Sequence, residues 1–382
     1  MFTVLQVTPA LNAGGVERTT LEVAEAVVLA GGRALVASRG GRLEPELKEV
    51  GGELIRLSMD VKSPLAIWGN AGNLAQIIRS KKVTVVHARS RAPAWSALWA
   101  ARRTKTPFVT TYHGVYNAKS SAKTLYNSVM ARGDVVIANS EFTRRHILET
   151  HHTNPDRVVT IPRGVDLQAF DPALVSSERK LAQRRTWGIE DNDTRPIILM
   201  PTRMTRWKGH EVLIDAAAAA FKDRPHAFLV LMAGSHAGRD AYRNSLQARI
   251  DGHGLTADVR VIDHQSDMPA ALATADIVVT PSIEPEAFGR VAIEAQAMAK
   301  PVIASSLGGF LETIKDGETG HLTPPGDAYA LARALLNLTD ATADRRAAMG
   351  LAGRAWVKGR YSKLALQKAT LLVYRRVATE RR

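Results

Sequence analysis

Short runs of aliphatic and β-branched residues recur along the chain, continuous rather than alternating with polar ones, and amphipathic stretches of helical length separate them. FTVLQVTP, RALVAS, VTVVHAR, PFVTTYHG, DVVIANS and RVVTIPRGV form a first set; RPIILMPTR, HAFLVLMAG, DVRVID, DIVVTPS, KPVIAS and GHLTPP form a second. A strand that is apolar throughout is one covered on both faces, the condition of a parallel sheet clothed by helices. The stretch ERTTLEVAEAVVLAGG (17–32) predicts such a helix, stopped at Gly31 and Gly32. Residues 171–194, DPALVSSERKLAQRRTWGIEDNDT, are polar and broken, and predict a linker with the entry to a second domain. The last segment, SKLALQKATLLVYRRVATERR, predicts an amphipathic helix. The fold class is therefore α/β, with two Rossmann-like βαβ domains.

Size agrees, since 382 residues exceed one ordinary core and suit two. A hydrophobic share of 45% and a charged share of 23% are those of a soluble globular protein. No apolar run approaches the roughly 20 residues that span a bilayer. The start MFTVLQVTPALNAGG reads as a strand entering a glycine loop rather than a signal peptide, so a cytoplasmic protein is expected. Absence of cysteine excludes disulfides and thiolate metal sites.

The net charge of +14 changes the picture more. It allows nucleic acid, an anionic membrane face, or a phosphorylated or carboxylated substrate as partner. Arg102, Arg103, Lys105, Lys119, Lys123, Arg132, Arg144 and Arg145 outnumber Asp134, Glu141 and Glu149 in the first half. Neither zinc-finger spacing nor an RNA-binding aromatic segment is present, so no nucleic-acid partner is expected.

Candidate chemistry concentrates in residues 281–312, PSIEPEAFGRVAIEAQAMAKPVIASSLGGFLE. Glu286 precedes a predicted helix start and Glu294 lies in its second turn. Phe288 and Gly289 stand between them, where helix-start amides offer a seat for phosphate, and Gly308 and Gly309 follow. Carboxylates beside a phosphate seat suit a ligand whose hydroxyls need acceptors, such as a nucleotide sugar. In TRMTRWKGHEV, Arg203 and Lys208 leave a strand's carboxyl end as a fork and a point charge suited to a diphosphate, with Arg206 as a competing cation. Gly14 and Gly15 follow the first strand without the three-glycine dinucleotide spacing. His113 ends a strand before Gly114. Arg89 and Arg91 end another, followed by Trp95, Leu98 and Trp99 on one helical face. No spacing of histidines and carboxylates suggests a metal site, and Asp191-Asn192-Asp193 sits in the polar segment.

In this order and spacing the motifs resemble the retaining glycosyltransferases of family four, with the GT-B fold, over nearly the whole chain. The stretch VTTYHGVYNAKSSAKTLYNSVMARGDVVIANS resembles bacterial envelope-sugar transferases, including those of lipopolysaccharide. The resemblance implies two domains facing across a cleft: 1–168 with a returning helix 362–382, and 169–361, with a hinge in 163–171. It implies that Arg203 and Lys208 hold the donor diphosphate, Glu294 the ribose and Glu286 the transferred sugar, helped by Phe288, Gly289, Gly308 and Gly309. Gly14, Gly15 and His113 would meet the phosphate and the reacting sugar, and Arg89 and Arg91 an anionic acceptor. His264 and Gln265 would flank the base, and Glu312 is a candidate or a helix-start acid. The implied reaction is transfer of a hexose from a nucleoside-diphosphate sugar to a glycan or glycolipid, with retention, no cofactor and no metal, at the inner face of an anionic membrane. A nucleotide-sugar epimerase, a glycosidic phosphorylase and a non-catalytic nucleotide-sugar binder remain alternatives.

Overall fold

The computed structural model describes residues 2–12, 14–61, 63–116, 120–235 and 238–380. Lys119, counted above among the basic residues, and Arg381 and Arg382 of the expected returning helix lie outside the described residues. The chain divides into two compact units, Met1–Gly164 with Lys363–Arg382, and Val165–Ser362.

The first unit is built on β1 (Thr3–Val7), β2 (Arg33–Ser38), β3 (Glu53–Arg56), β4 (Val85–Ala88), β5 (Phe108–Tyr112), β6 (Val135–Ala138) and β7 (Val158–Thr160). They form one parallel sheet in the order β3-β2-β1-β4-β5-β6-β7. Alternate residues of β1 enter opposite layers: Leu5 and Val7 pack with Leu35, Val86 and Leu98, whereas Val4 packs with Val23, Val27 and Val36. The helix Lys363–Thr379 completes the second layer through Leu366, Val373, Tyr374 and Val377, and Gln367 Nε2 donates to the Glu22 carbonyl at 2.8 Å.

The hydrophobic pattern misses β3. It is an edge strand bonded only to β2, half-buried, with Glu53 held by Arg33 at 2.5 Å and by Lys81 at 3.2 Å. A strand packed so lightly needs no apolar run.

The second unit carries β8 (Ile197–Pro201), β9 (Leu229–Ala233), β10 (Val259–Ile262), β11 (Ile277–Thr280), β12 (Val302–Ser305) and β13 (Gly320–Thr323). Again all neighbours are parallel, in the order β10-β9-β8-β11-β12-β13. Ile198 and Met200 face one layer, Ile197 and Leu199 the other.

Two boundaries differ from expectation. The second unit starts at Val165 rather than at 169, because the Val165 amide donates to the Tyr361 carbonyl at 2.8 Å and the residue bridges to Ser362. Residues 171–194 are the expected entry to that unit but not a linker: they contain the helix Ser177–Thr186, capped by Ser176, and Val175, Trp187 and Ile189 are buried in the unit's core. So few apolar anchors in a charged segment conceal its attachment.

Each sheet reverses strand order once, between β1 and β4 and between β8 and β11. Loops that leave such a pair at their carboxyl ends diverge and open a crevice, the usual ligand position in doubly wound sheets. Among the described residues no helix is long and apolar enough to cross a membrane.

Candidate active site

In the second unit, the predicted residues gather at the β8/β11 reversal. The loop after β8 carries Arg203 and Lys208, and the loop after β11 carries Glu286. The two loops are tied together, the Ile283 amide donating to the Trp207 carbonyl at 2.8 Å. Lys208 Nζ donates to Glu286 Oε1, and the ammonium lies 4.2 Å from the centre of the Trp207 ring. Ser282 Oγ donates to the same Glu286 oxygen at 3.1 Å. With side chains only 13% and 14% exposed, this is a largely desolvated pair rather than a solvated surface contact.

Gly308 and Gly309, after β12, wall this pair. The Gly309 amide donates to the Glu286 carbonyl at 2.8 Å, and a Cβ on Gly308 would stand 2.4 Å from that same oxygen. Only glycine lets the two backbones approach so closely. Phe288 turns its ring inward against Tyr361, 5.5 Å between centres, so only its backbone remains for a ligand. Gly289, left-handed at φ 84°, starts the helix Arg290–Ala297, and no side chain of the described residues caps it. Glu294, one turn in, accepts from Arg290 Nε at 2.7 Å.

The cations near β8 are not equivalent. Arg206 is engaged by Glu211 at 2.8 Å and lies over the Tyr242 ring at 5.2 Å. Arg203 is exposed and has no carboxylate partner among the described residues. Gln265 is engaged by Gln183 at 2.9 Å and Trp187 at 3.1 Å, which leaves its side chain a structural brace; His264 is exposed. Glu312 lies in the first turn of the short helix Phe310–Thr313. Asp193 holds Arg195 at 2.7 Å.

In the first unit, Gly15 and His113 converge on a residue the sequence marked only as part of a hinge, Arg163. Arg163 Nη2 donates to His113 Nδ1 at 3.1 Å. A Cβ on Gly15, beside Gly14 at the start of the helix Gly15–Leu29, would stand 1.9 Å from Arg163 Nη1, so glycine makes room for the guanidinium. Burial, then the charges of Arg163 and Arg89, hold the His113 pKa well below the ordinary histidine range. A guanidinium can only donate, so Nδ1 is the acceptor and the neutral ring carries its proton on Nε2. That Nε2 is buried with no partner among the described residues. The ring is thus an uncharged donor waiting for an acceptor. The signal for Arg163 was available: a cation at a strand's carboxyl end, in IPRGVD.

Arg89 is a correction. It is 1% exposed, donates from Nε to Gln6 Oε1 at 2.6 Å, and belongs to a buried layer with Tyr374 and His87, so it cannot meet an acceptor. Its cover comes from the returning helix, far away in sequence. Arg91 is half-buried, bonded to Asn127 Oδ1 at 2.8 Å with its guanidinium 4.2 Å from the Tyr116 ring centre. Of the helical face beyond, Leu98 is buried, Trp95 is half-buried with its indole N–H on the Tyr126 carbonyl, and Trp99 is exposed.

Known proteins resemble this chain in sequence and fold. The family model described as Glycosyltransferase Family 4 matches residues 13–169, and that described as Glycosyl transferases group 1 matches residues 183–356. The crystal structure of a glycosyltransferase from Rickettsia africae superposes with a TM-score of 0.90 at 38% identity, covering 98% of this chain and 98% of that one. A GDP-mannose-dependent monoacylated alpha-(1-6)-phosphatidylinositol monomannoside mannosyltransferase of Corynebacterium glutamicum is 30% identical over 322 residues, 81% of this chain and 80% of the relative. HepE of Anabaena, solved with UDP and glucose, shares the fold at a TM-score of 0.84 and 22% identity, covering 98% of this chain and 99% of that one. The fold is GT-B, and the protein is a glycosyltransferase. It belongs to glycosyltransferase family 4.

Proposed function

We propose that the protein transfers a hexose from a nucleoside-diphosphate sugar to a glycan or lipid-linked acceptor with retention of anomeric configuration, without metal or cofactor. The observation that carries the reading is the desolvated Lys208–Glu286 pair at a strand-order reversal, with Arg203, which has no carboxylate partner among the described residues, on the same loop as Lys208. A diphosphate would draw Lys208 from Glu286 and add Arg203, while a hydroxyl of the transferred sugar replaces the ammonium at Glu286. Glu294, oriented by Arg290, accepts the ribose hydroxyls, and the Gly289 helix start adds backbone dipole to the phosphate. In the first unit, His113 would offer its Nε2–H to a sugar oxygen, and Arg91 a cation to an anionic acceptor.

In the reaction, the bond from the anomeric carbon to the diphosphate oxygen breaks and a bond to the acceptor oxygen forms on the same face. The acceptor's proton passes to the departing phosphate oxygen. Lys208 and Arg203 stabilise the negative charge that develops there. Glu286 binds hydroxyls and is not a nucleophile, so no two-carboxylate hydrolase scheme applies. The basic first half, and the lipid acceptor in the name of the Corynebacterium relative, support an acceptor displayed on the inner face of a cytoplasmic membrane.

The test is a thermal-shift screen of guanosine, uridine and adenosine diphosphates with their mannose and glucose esters. It is followed by transfer assays in chelator and by NMR of the product anomer. One nucleotide sugar is expected to raise Tm more than its free diphosphate. Stabilisation by none of them, or an inverted product, overturns the reading.

A further inference from the structure

Opposite the carboxyl ends of its strands, the first unit holds a second concave site. Phe108 opens β5, Asp134 immediately precedes β6, and Arg157 immediately precedes β7, so these residues mark the amino ends of three adjacent parallel strands, whereas His113 follows the carboxyl end of β5. There a cavity of about 310 Å³ is lined by Arg102, Arg132, Arg157, His151, His152 and Asn154. Another, of about 290 Å³, shares the same three arginines and adds Phe108 and Asp134.

The charge of this site is unbalanced. None of the three arginines forms an ion pair with a carboxylate among the described residues. Arg157 Nη2 donates to the Gly133 carbonyl, and Arg132 Nε donates to Ser128 Oγ at 3.1 Å with its guanidinium 5.1 Å from the Trp95 ring centre. Asp134, the carboxylate on the lining, accepts from the Phe108 amide at 2.8 Å. Hydrogen bonding within the protein, to a carbonyl for Arg157 and to a hydroxyl for Arg132, explains the first and part of the second. It does not explain Arg102, whose guanidinium makes no hydrogen bond among the described residues. Like charges converging in a concavity focus positive potential, and an arginine fork matches phosphate oxygens in pairs. A volume near 300 Å³ is that of a small-ligand pocket.

We propose that this cavity binds a phosphate ester, through Arg102, Arg132 and Arg157 with Asn154 and His152 on its rim. The site is separate from the transfer reaction and does not rest on it. Two sources share the chemistry, a soluble phosphate monoester and a phospholipid headgroup.

The test uses the full chain carrying Arg203→Ala and Lys208→Ala, so that phosphate has no place at the β8 loop. Glycerol 3-phosphate is titrated by calorimetry into this protein and into the same protein with Arg102→Gln. Arg102 is exposed, so the substitution spares the core; Arg157→Lys serves as a second variant that keeps the charge and loses the fork. Saturable binding that weakens about tenfold or more with Arg102→Gln is expected, the loss of one good charge-assisted contact. Flotation with phosphatidic acid vesicles separates the sources. Flotation lost with Arg102→Gln and competed by glycerol 3-phosphate means a headgroup; binding of the soluble ester without Arg102-dependent flotation means a soluble ligand. No saturable binding in either arm, or binding unchanged by Arg102→Gln, overturns the proposal.

Discussion

In the second unit the candidate site is made of opposite charges that already hold one another, Lys208 with Glu286 and Arg290 with Glu294. In the first unit it is made of an uncharged ring, His113, kept neutral by burial and by the cation that bonds it. The two arrangements ask different things of a ligand. A neutral donor with an unpartnered N–H is ready for an oxygen acceptor without rearrangement. A desolvated ion pair must be opened, and opening it for one partner strands the other. The second arrangement therefore selects ligands that bring a phosphate for the lysine and hydroxyls for the glutamate at once. A free nucleoside diphosphate satisfies only half of the exchange.

The sharpest way to break that comparison is to remove one member of the pair. Lys208→Ala is expected to lower kcat about 10²- to 10³-fold, roughly 3 to 4 kcal/mol, if its charge meets the departing diphosphate. It also leaves the Glu286 carboxylate desolvated and alone, so Tm falls. The double variant Lys208→Met with Glu286→Gln removes both charges and should recover most of the stability while regaining none of the activity. Steady-state assays and melting curves on the parent, Lys208→Met, Glu286→Gln and the double variant decide it. A single variant within about fivefold of the parent would place the pair outside the reaction, since the lost transition-state contact would then be worth under about 1 kcal/mol.

The neutral histidines give a second contrast, in pH. His113 and His87 are held well below the ordinary range, chiefly by burial, and burial brings His210 in the second unit down to about 4. A group with a depressed folded pKa binds fewer protons folded than unfolded between its two pKa values. Stability is thus complete above about 6.5, the unfolded value, and declines as pH falls towards 4. The His210 share alone is about 3 kcal/mol across that window. Urea melts from pH 7.5 to 4.5 should show the slope, and His113→Gln should flatten it. A slope unchanged in His113→Gln would mean that the folded ring is not held neutral, and Nδ1 could then not accept from Arg163 as the neutral-ring reading requires.

Much of this was legible in the chain because the relevant signals are local. Continuous apolar runs located all of the second sheet and most of the first, and glycines beside acids located the loops after β11 and β12. What stayed hidden depends on residues distant in sequence. Arg89 looks like a strand-end cation until Tyr374, brought in by the last helix, and Gln6 close over it. Arg163 looks like a hinge residue until Gly15 is seen to make room for it. The engagement of Lys208 by Glu286 follows from β8 and β11 being neighbours, which strand order decides and local pattern does not.

The same distinction between engaged and available charge predicts the smallest effects. Arg203 and Arg206 stand on one loop with the same side chain, and only the family resemblance, not residue type or spacing, favoured Arg203. The structure separates them: Arg206 is held by Glu211 and Tyr242, while Arg203 has no carboxylate partner among the described residues. Arg203→Ala should weaken nucleotide-sugar binding and slow turnover by about tenfold, the loss of one charge-assisted contact. Arg206→Ala removes an exposed ion pair worth at most about 1 kcal/mol and should leave kcat within about twofold. Kinetics of the two variants side by side test this directly. Equal losses would mean that the loop acts by net charge rather than through a particular guanidinium. A larger loss at Arg206 would mean that Glu211 releases it to the ligand, as Glu286 is proposed to release Lys208.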